Sequence, residues 1–230
     1  MSFNSIEFII FLPIVFLLYW FVFKKTKKQN LLIVAASYMF YGWWDWRFLI
    51  LIAVTSLCSY ASGLLIERWE GRRRWQKATS AANIVLNISI LAVFKYYNFF
   101  INSLNGVFAA LGMTLDWPTA NIILPVGISF YTFQALSYSI DVYRKKIATE
   151  HDIVAFFAFI SFFPQLVAGP IERATNLLPQ FVKSRAFDYS KAVDGCRQML
   201  WGFFKKLIIA DSCAEIVNDV WSNYPPPQCP

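Results

Sequence analysis

The sequence predicts an all-α membrane protein: a polytopic transmembrane helical bundle with one re-entrant or broken helix. Three observations predict it. Of the 230 residues, 57% are hydrophobic and 19% aromatic, while only 15% are charged; a soluble domain carries about 25% charge. The apolar residues form separate runs close to the roughly 20 needed to span a bilayer, divided by short Lys and Arg clusters. One later run is interrupted by Pro164 and closed by Gly169-Pro170. Such a break at membrane depth survives only where protein or water covers the backbone.

The first span covers residues 6–23. Lys24, Lys25, Lys27 and Lys28 follow at once, which places that end in the cytoplasm and the N-terminus outside. Pro13 is a kink that neighbouring helices can cover. Because the charges follow the apolar stretch, the run is not a cleaved signal peptide. Residues 31–44 and 48–66 then form a hairpin. It turns outside on Tyr41-Gly42-Trp43-Trp44-Asp45-Trp46-Arg47, whose aromatic side chains favour an interface. Arg68, Arg72, Arg73, Arg74 and Lys77 make a second cytoplasmic cluster.

Residues 79–97 lead outward again. Phe99 to Met113 is apolar but short, and is expected to lie at the interface or insert partly. Asp116-Trp117-Pro118 signals a turn. Residues 122–143 return inward to Arg144-Lys145-Lys146, a third basic cluster on the same side. A re-entrant element follows over about 153–170, then a polar cytoplasmic segment over 172–194. An amphipathic helix covers about 195–220, with Lys205-Lys206 in its apolar middle, which implies snorkelling or an aqueous cavity. The tail from Pro225 cannot continue a helix.

The net charge of +7 does not indicate a nucleic-acid partner, because the basic residues sit in loops as the positive-inside rule requires. Membrane lipid is the implied partner. Cys58, Cys196, Cys213 and Cys229 have neither CxxC nor metal-ligand spacing, so no disulfide framework and no metal site are implied. His151 is the only histidine. It stands in Thr149-Glu150-His151-Asp152 before an apolar helix, where capping and solvation explain it better than general-base catalysis.

Five stretches read as motifs: Ala36-Ser37-Tyr38-Met39-Phe40-Tyr41-Gly42-Trp43, Phe94-Lys95-Tyr96-Tyr97-Asn98-Phe99, Leu124-Pro125-Val126-Gly127-Ile128-Ser129-Phe130-Tyr131-Thr132-Phe133-Gln134 with its continuation to Arg144, Phe162-Phe163-Pro164-Gln165-Leu166-Val167-Ala168-Gly169-Pro170-Ile171-Glu172-Arg173, and Gly202-Phe203-Phe204-Lys205-Lys206-Leu207-Ile208-Ile209-Ala210-Asp211. In this order they resemble the membrane-bound O-acyltransferase family. The nearest branch is the bacterial one that acetylates alginate and other exported polysaccharides or D-alanylates teichoic acids. The resemblance implies transfer from an acyl-coenzyme A or acyl-carrier thioester to an acceptor hydroxyl, in the bacterial inner membrane. No resident cofactor is implied; a periplasmic hydrolase-like partner is. The family's catalytic histidine lies on a later segment that has no counterpart here. The chain is therefore expected to be an N-terminal half, inactive alone and completed by a C-terminal half.

The resemblance makes the 164–170 bend a tunnel wall as well as a structural bend, lined by Gln165, Glu172 and Arg173. Gln134 and Asp141 lie seven apart on one helix, and helix–helix hydrogen bonding outweighs substrate contact as their role. An Asp141–Arg144 ion pair is expected at the membrane edge. Lys205 and Lys206 either anchor a helix at anionic headgroups or attract an acidic acyl donor. The rival reading is a transporter-like or scaffold-like membrane protein without catalysis. It predicts paired interrupted helices, and the sequence shows one broken region and no repeat.

Overall fold

The computed structural model describes residues 3–110, 124–166 and 169–224, and all regular structure among them is helical. The Asp116-Trp117-Pro118 turn, the start of the 122–143 run, Val167-Ala168 and the proline tail lie outside the described residues. The chain divides into two compact units. One is Phe11–Ser184 and the other is Arg185–Pro230 with Ser2–Ile10.

Helix α1 (Ile6–Leu17) passes through Pro13 and widens into a π-helical turn at Leu18–Val22. Helix α2 (Thr26–Gly42) starts before the expected 31–44 arm and takes Lys27 and Lys28 into its first turn. The hairpin to α3 (Arg47–Arg68) closes where Arg47 donates its backbone N–H and Nε to Asp45 Oδ1, at 2.9 and 3.2 Å. Those bonds hold the Asp45 carboxyl below the usual carboxylate range. Trp43, Trp44 and Trp46 around the turn are exposed, as an interfacial belt requires.

The expected span 79–97 and the separate piece from Phe99 are instead one helix, α4 (Arg73–Ala110), unbroken for 38 residues. Lys95 and Asn98 dilute the hydropathy there, but a helix interior accommodates both and no Pro interrupts it. At 1.5 Å per residue α4 is about 57 Å long, beyond a hydrocarbon core of about 30 Å. By length and composition, α3 and α4 can each cross a membrane.

Helix α5 (Ile128–Tyr143) begins later than the expected 122–143 run. Gly127 takes a left-handed φ of 75° that an L side chain resists, so the helix cannot extend back through it. The Tyr41 hydroxyl donates to Val126 O and ties this entry to α2. Most of α5 is buried. Its Tyr131 and Tyr138, with Phe156 and Phe159 of α6 (Ile153–Ser161), form the centre of the core. Asp152 caps α6 by accepting from Val154 N and Ala155 N. The chain breaks at Phe162, makes the short α7 (Phe163–Leu166), and turns back into α8 (Ala174–Val182).

Helix α8 (Ala174–Val182) shows that the 172–194 segment, expected to be polar, carries an apolar face. It buries Ala174, Leu177, Leu178 and Phe181, the i, i+3, i+4, i+7 stripe of an amphipathic helix, and packs on α6, α5 and α2. Asn30 of α2 donates Nδ2 to Phe181 O at 2.8 Å, satisfying a carbonyl in its last turn. In the second unit, α9 (Tyr189–Phe204), a π-helical turn at Lys205–Ala210 and α10 (Asp211–Asn223) form one long helix. It covers the expected amphipathic helix of about 195–220 and buries none of its residues.

Candidate functional site

The break between α6 and α7 follows from the sequence. Pro164 has no N–H to give to Ile160, so the helical ladder must fail there. The failure frees two further groups of the i, i+4 pair: the Phe159 carbonyl and the Phe163 N–H. Both find side chains. Gln134 of α5 donates Nε2 to Phe159 O at 2.8 Å, and Ser37 of α2 accepts from Phe163 N at 3.2 Å. All four residues are buried, where an unpaired backbone group costs about 1–3 kcal/mol. The bend is thus clamped from both sides.

Gln165 sits on α7, just past the break. It donates Nε2 to Pro170 O at 2.6 Å, while its Oε1 is buried without a hydrogen-bond partner among the described residues. Gly169 folds over it. A Cβ there would stand 2.7 Å from Gln165 Cγ, so only glycine fits this close return. Glu172 follows half-buried, and Arg173, exposed, precedes the first turn of α8. Gln134 and Gln165 therefore meet the same break, and Glu172 and Arg173 lie on its return path. Lys205 and Lys206 belong to the other unit and are exposed. Lys206 pairs with Asp211, and Lys205 lies 5.8 Å from the centroid of the Trp201 ring.

Asp141 does not form the expected ion pair with Arg144. It is buried near the end of α5, while Arg144 lies exposed beyond the helix terminus. His151 lies in residues 144–152, a strap across the ends of α3 and α5. Its Nε2 is 3.2 Å from Glu67 Oε2, and its carbonyl accepts from the Tyr60 hydroxyl at 2.7 Å. Lys145 pairs with Glu70 at 3.2 Å, and Thr149 donates to Gly63 O at 3.4 Å. An open cleft of about 360 Å³ lies beside the strap, lined by Glu67, Glu70, Gln76, Lys145, Lys146 and Thr149 among others. Among the described residues, no three His, Cys, Asp or Glu side chains are grouped to hold a metal.

Sequence reasoning missed Ser37 as a partner of the break and Tyr138 as a strap anchor. Its hydroxyl accepts from Glu150 N at 3.2 Å. It also missed a seam of buried Ser, Thr and Asn between α3, α4 and α5. The signal for the seam was present as the four-residue spacing of Thr55 with Ser59 and of Asn83 with Asn87.

No family model matches the chain, and no solved structure matches it significantly. Curated relatives do. The chain is 38% identical to the probable alginate O-acetylase of Pseudomonas aeruginosa over 219 residues, which is 95% of this chain and 41% of the relative. Against the protein of the same name in Azotobacter vinelandii it is 38% identical over 223 residues, 95% of this chain and 43% of the relative. The peptidoglycan O-acetyltransferase of Helicobacter pylori is 29% identical over 246 residues, covering 94% of this chain and 46% of the relative. The chain spans less than half the length of these relatives. Over that length it is their homologue, in agreement with the membrane-bound O-acyltransferase resemblance carried by its motifs.

Proposed function

We propose that this chain is part of a membrane O-acyltransferase that acetylates hydroxyls of an exported polysaccharide. The observation that carries the reading is the similarity of 95% of the chain to proteins named as alginate O-acetylases. The clamped break supports it as a fixed wall, because a plain membrane anchor has no use for a helix interrupted and re-satisfied in the bundle interior. In this reading a cytoplasmic acyl thioester, from coenzyme A or a carrier protein, approaches from the face of the basic clusters. The acceptor hydroxyl arrives from the other face. The bend with Gln134, Gln165, Glu172 and Arg173 lines the route between them, and Lys205 and Lys206 favour the acidic donor. The protein crosses the inner membrane several times with its N-terminus outside, and a periplasmic hydrolase-like protein works beside it.

In this reading His151 is not the base that activates the acceptor, because it is exposed on the strap and engaged with Glu67. Residues 1–230 alone are expected to transfer no acetyl group, and His151→Ala is expected to change nothing. The test is a chimera in which this chain replaces the matching segment of an alginate O-acetylase in an alginate-producing strain. Retained acetyl ester in the exported polymer supports the reading. A chimera present in the membrane at normal level but without acetylation overturns it.

A further inference from the structure

The α3–α4–α5 seam has its own register. Ser62 Oγ lies 3.2 Å from Ser139 Oγ, and Ser59 donates to Asn83 Oδ1 at 3.3 Å. Asn87 gives Nδ2 to Asn83 Oδ1 and to Asn83 O, at 3.0 and 2.9 Å. From the Ser62–Ser139 contact, two turns back along each of α3 and α5 lead to Thr55 and Thr132, which therefore share a level. Asn87 lies one turn beyond Asn83 along antiparallel α4, at the level of Thr55 and Ser56.

This stratum holds polar atoms left without partners. Thr55 Oγ1, Ser56 Oγ, Thr132 Oγ1, Asn87 Oδ1 and Asn83 Nδ2 are buried without a hydrogen-bond partner among the described residues. Thr55, Ser56, Thr132 and Asn87 are 0% exposed. Hydroxyls in helices usually have an outlet, because they can bond back to the preceding turn. Ser62 and Ser161 do so, to Ser59 O and Phe157 O. The hydroxyls of this stratum do not. Leaving five such atoms dry would cost about 1–3 kcal/mol each, which no neighbouring interaction offsets. Four oxygens and one amide donor on three packed helices at this level instead match a water, which makes about three hydrogen bonds to buried polar groups.

We propose that Thr55, Ser56, Asn83, Asn87 and Thr132 form an internal hydration site that binds one or two ordered waters at mid-depth in the bundle. The amide donor at Asn83 and the absence of any carboxylate among the five residues favour water over a cation. The site thereby joins the three helices through solvent, where direct side-chain contacts leave their capacity unused.

The test is X-ray hydroxyl-radical footprinting of the full chain in lipid nanodiscs, read by mass spectrometry. Radicals form on bound water, so labelling is expected on the buried 52–59 and 83–87 peptides, at rates near those of the exposed strap. Thr132→Val, which keeps the shape and removes one partner, is expected to lower that labelling several-fold and leave strap labelling unchanged. Asn87→Leu is a second variant that excludes water by volume. Buried peptides unlabelled in the unsubstituted chain would overturn the proposal. So would labelling that both variants retain, or labelling that changes when Na⁺ is exchanged for K⁺, which would mark a cation site.

Discussion

Gly63 to Ala is the substitution that tests the packing of this bundle most directly. Gly63 lies in the middle of the buried face of α3. A Cβ there would stand 2.4 Å from the Tyr138 hydroxyl oxygen, 2.8 Å from Cε1 and 3.0 Å from Cζ. The ring cannot step aside. It is fully buried, its centroid is 4.6 Å from that of Phe156, and its hydroxyl accepts from Glu150 N in the strap. Forcing it away costs about 1–3 kcal/mol as overpacking, and losing the strap hydrogen bond costs about 1 kcal/mol more. Replacing a helical glycine with alanine returns about 1 kcal/mol, so the last two effects cancel and the overpacking remains. For a chain of this size that lowers the melting temperature by about 2–12 °C, read by fluorescence-detected size-exclusion chromatography after heating in detergent. Adding Tyr138→Phe removes the 2.4 Å contact but leaves the one at 2.8 Å, so partial recovery is expected. Gly106→Ala and Gly195→Ala meet nothing within 4 Å and should be neutral or slightly stabilising. If Gly63→Ala behaves as they do, the close approach of α3 and α5 is wrong.

The clamp on the break predicts that Gln134→Leu and Ser37→Ala each destabilise by about 1–3 kcal/mol by orphaning a buried backbone group. The double substitution should cost less than the sum of the two, since one collapsed bend releases both groups; strict additivity in a thermal-melt cycle would refute the shared clamp. At the α2–α3 turn, the folded-state pKa of Asp45 is lowered, so its contribution is present above its ordinary value of 3.8 and is lost as pH falls through the folded value. Asp45→Asn should lower the melting temperature slightly at neutral pH, and the difference from the unsubstituted chain should vanish as pH falls through that acid window, measured by the same heating assay across pH.

Much of the scaffold was legible because the membrane imposes a coarse code. Apolar length gave α3, and Pro164 gave the break, since a missing N–H is a property of one residue. What answers the break was not legible. Nothing local to Gln134 or Ser37 says that their partners are Phe159 and Phe163, 25 and 126 residues away in sequence. Helix α4 was divided at Lys95–Asn98 because hydropathy falls there, although the backbone needs no apolar side chain to stay helical. Helix α8 escaped for the opposite reason. Its polar neighbours hid the stripe of Ala174, Leu177, Leu178 and Phe181, which is clear once periodicity is counted ahead of composition. The seam was invisible because each Ser, Thr or Asn is unremarkable alone inside an apolar run.

The two polar devices in this bundle differ in what they permit. At the break each freed backbone group is bonded to a side chain of another helix, so opening the bend must release both Gln134 and Ser37. With about 1–3 kcal/mol lost for each group, the open form holds at most a few per cent of the molecules. The α6–α7 break is therefore a fixed contour and not a gate. In the proposed acyl-transfer reading, Gln165 stands on that contour with one amide oxygen that has no hydrogen-bond partner among the described residues. A polar atom held still in a buried wall is oriented before any substrate arrives, which is the condition under which a single hydrogen bond contributes most to a reaction. Gln165→Leu in the acetylation chimera should then reduce acetyl transfer more than it reduces thermal stability.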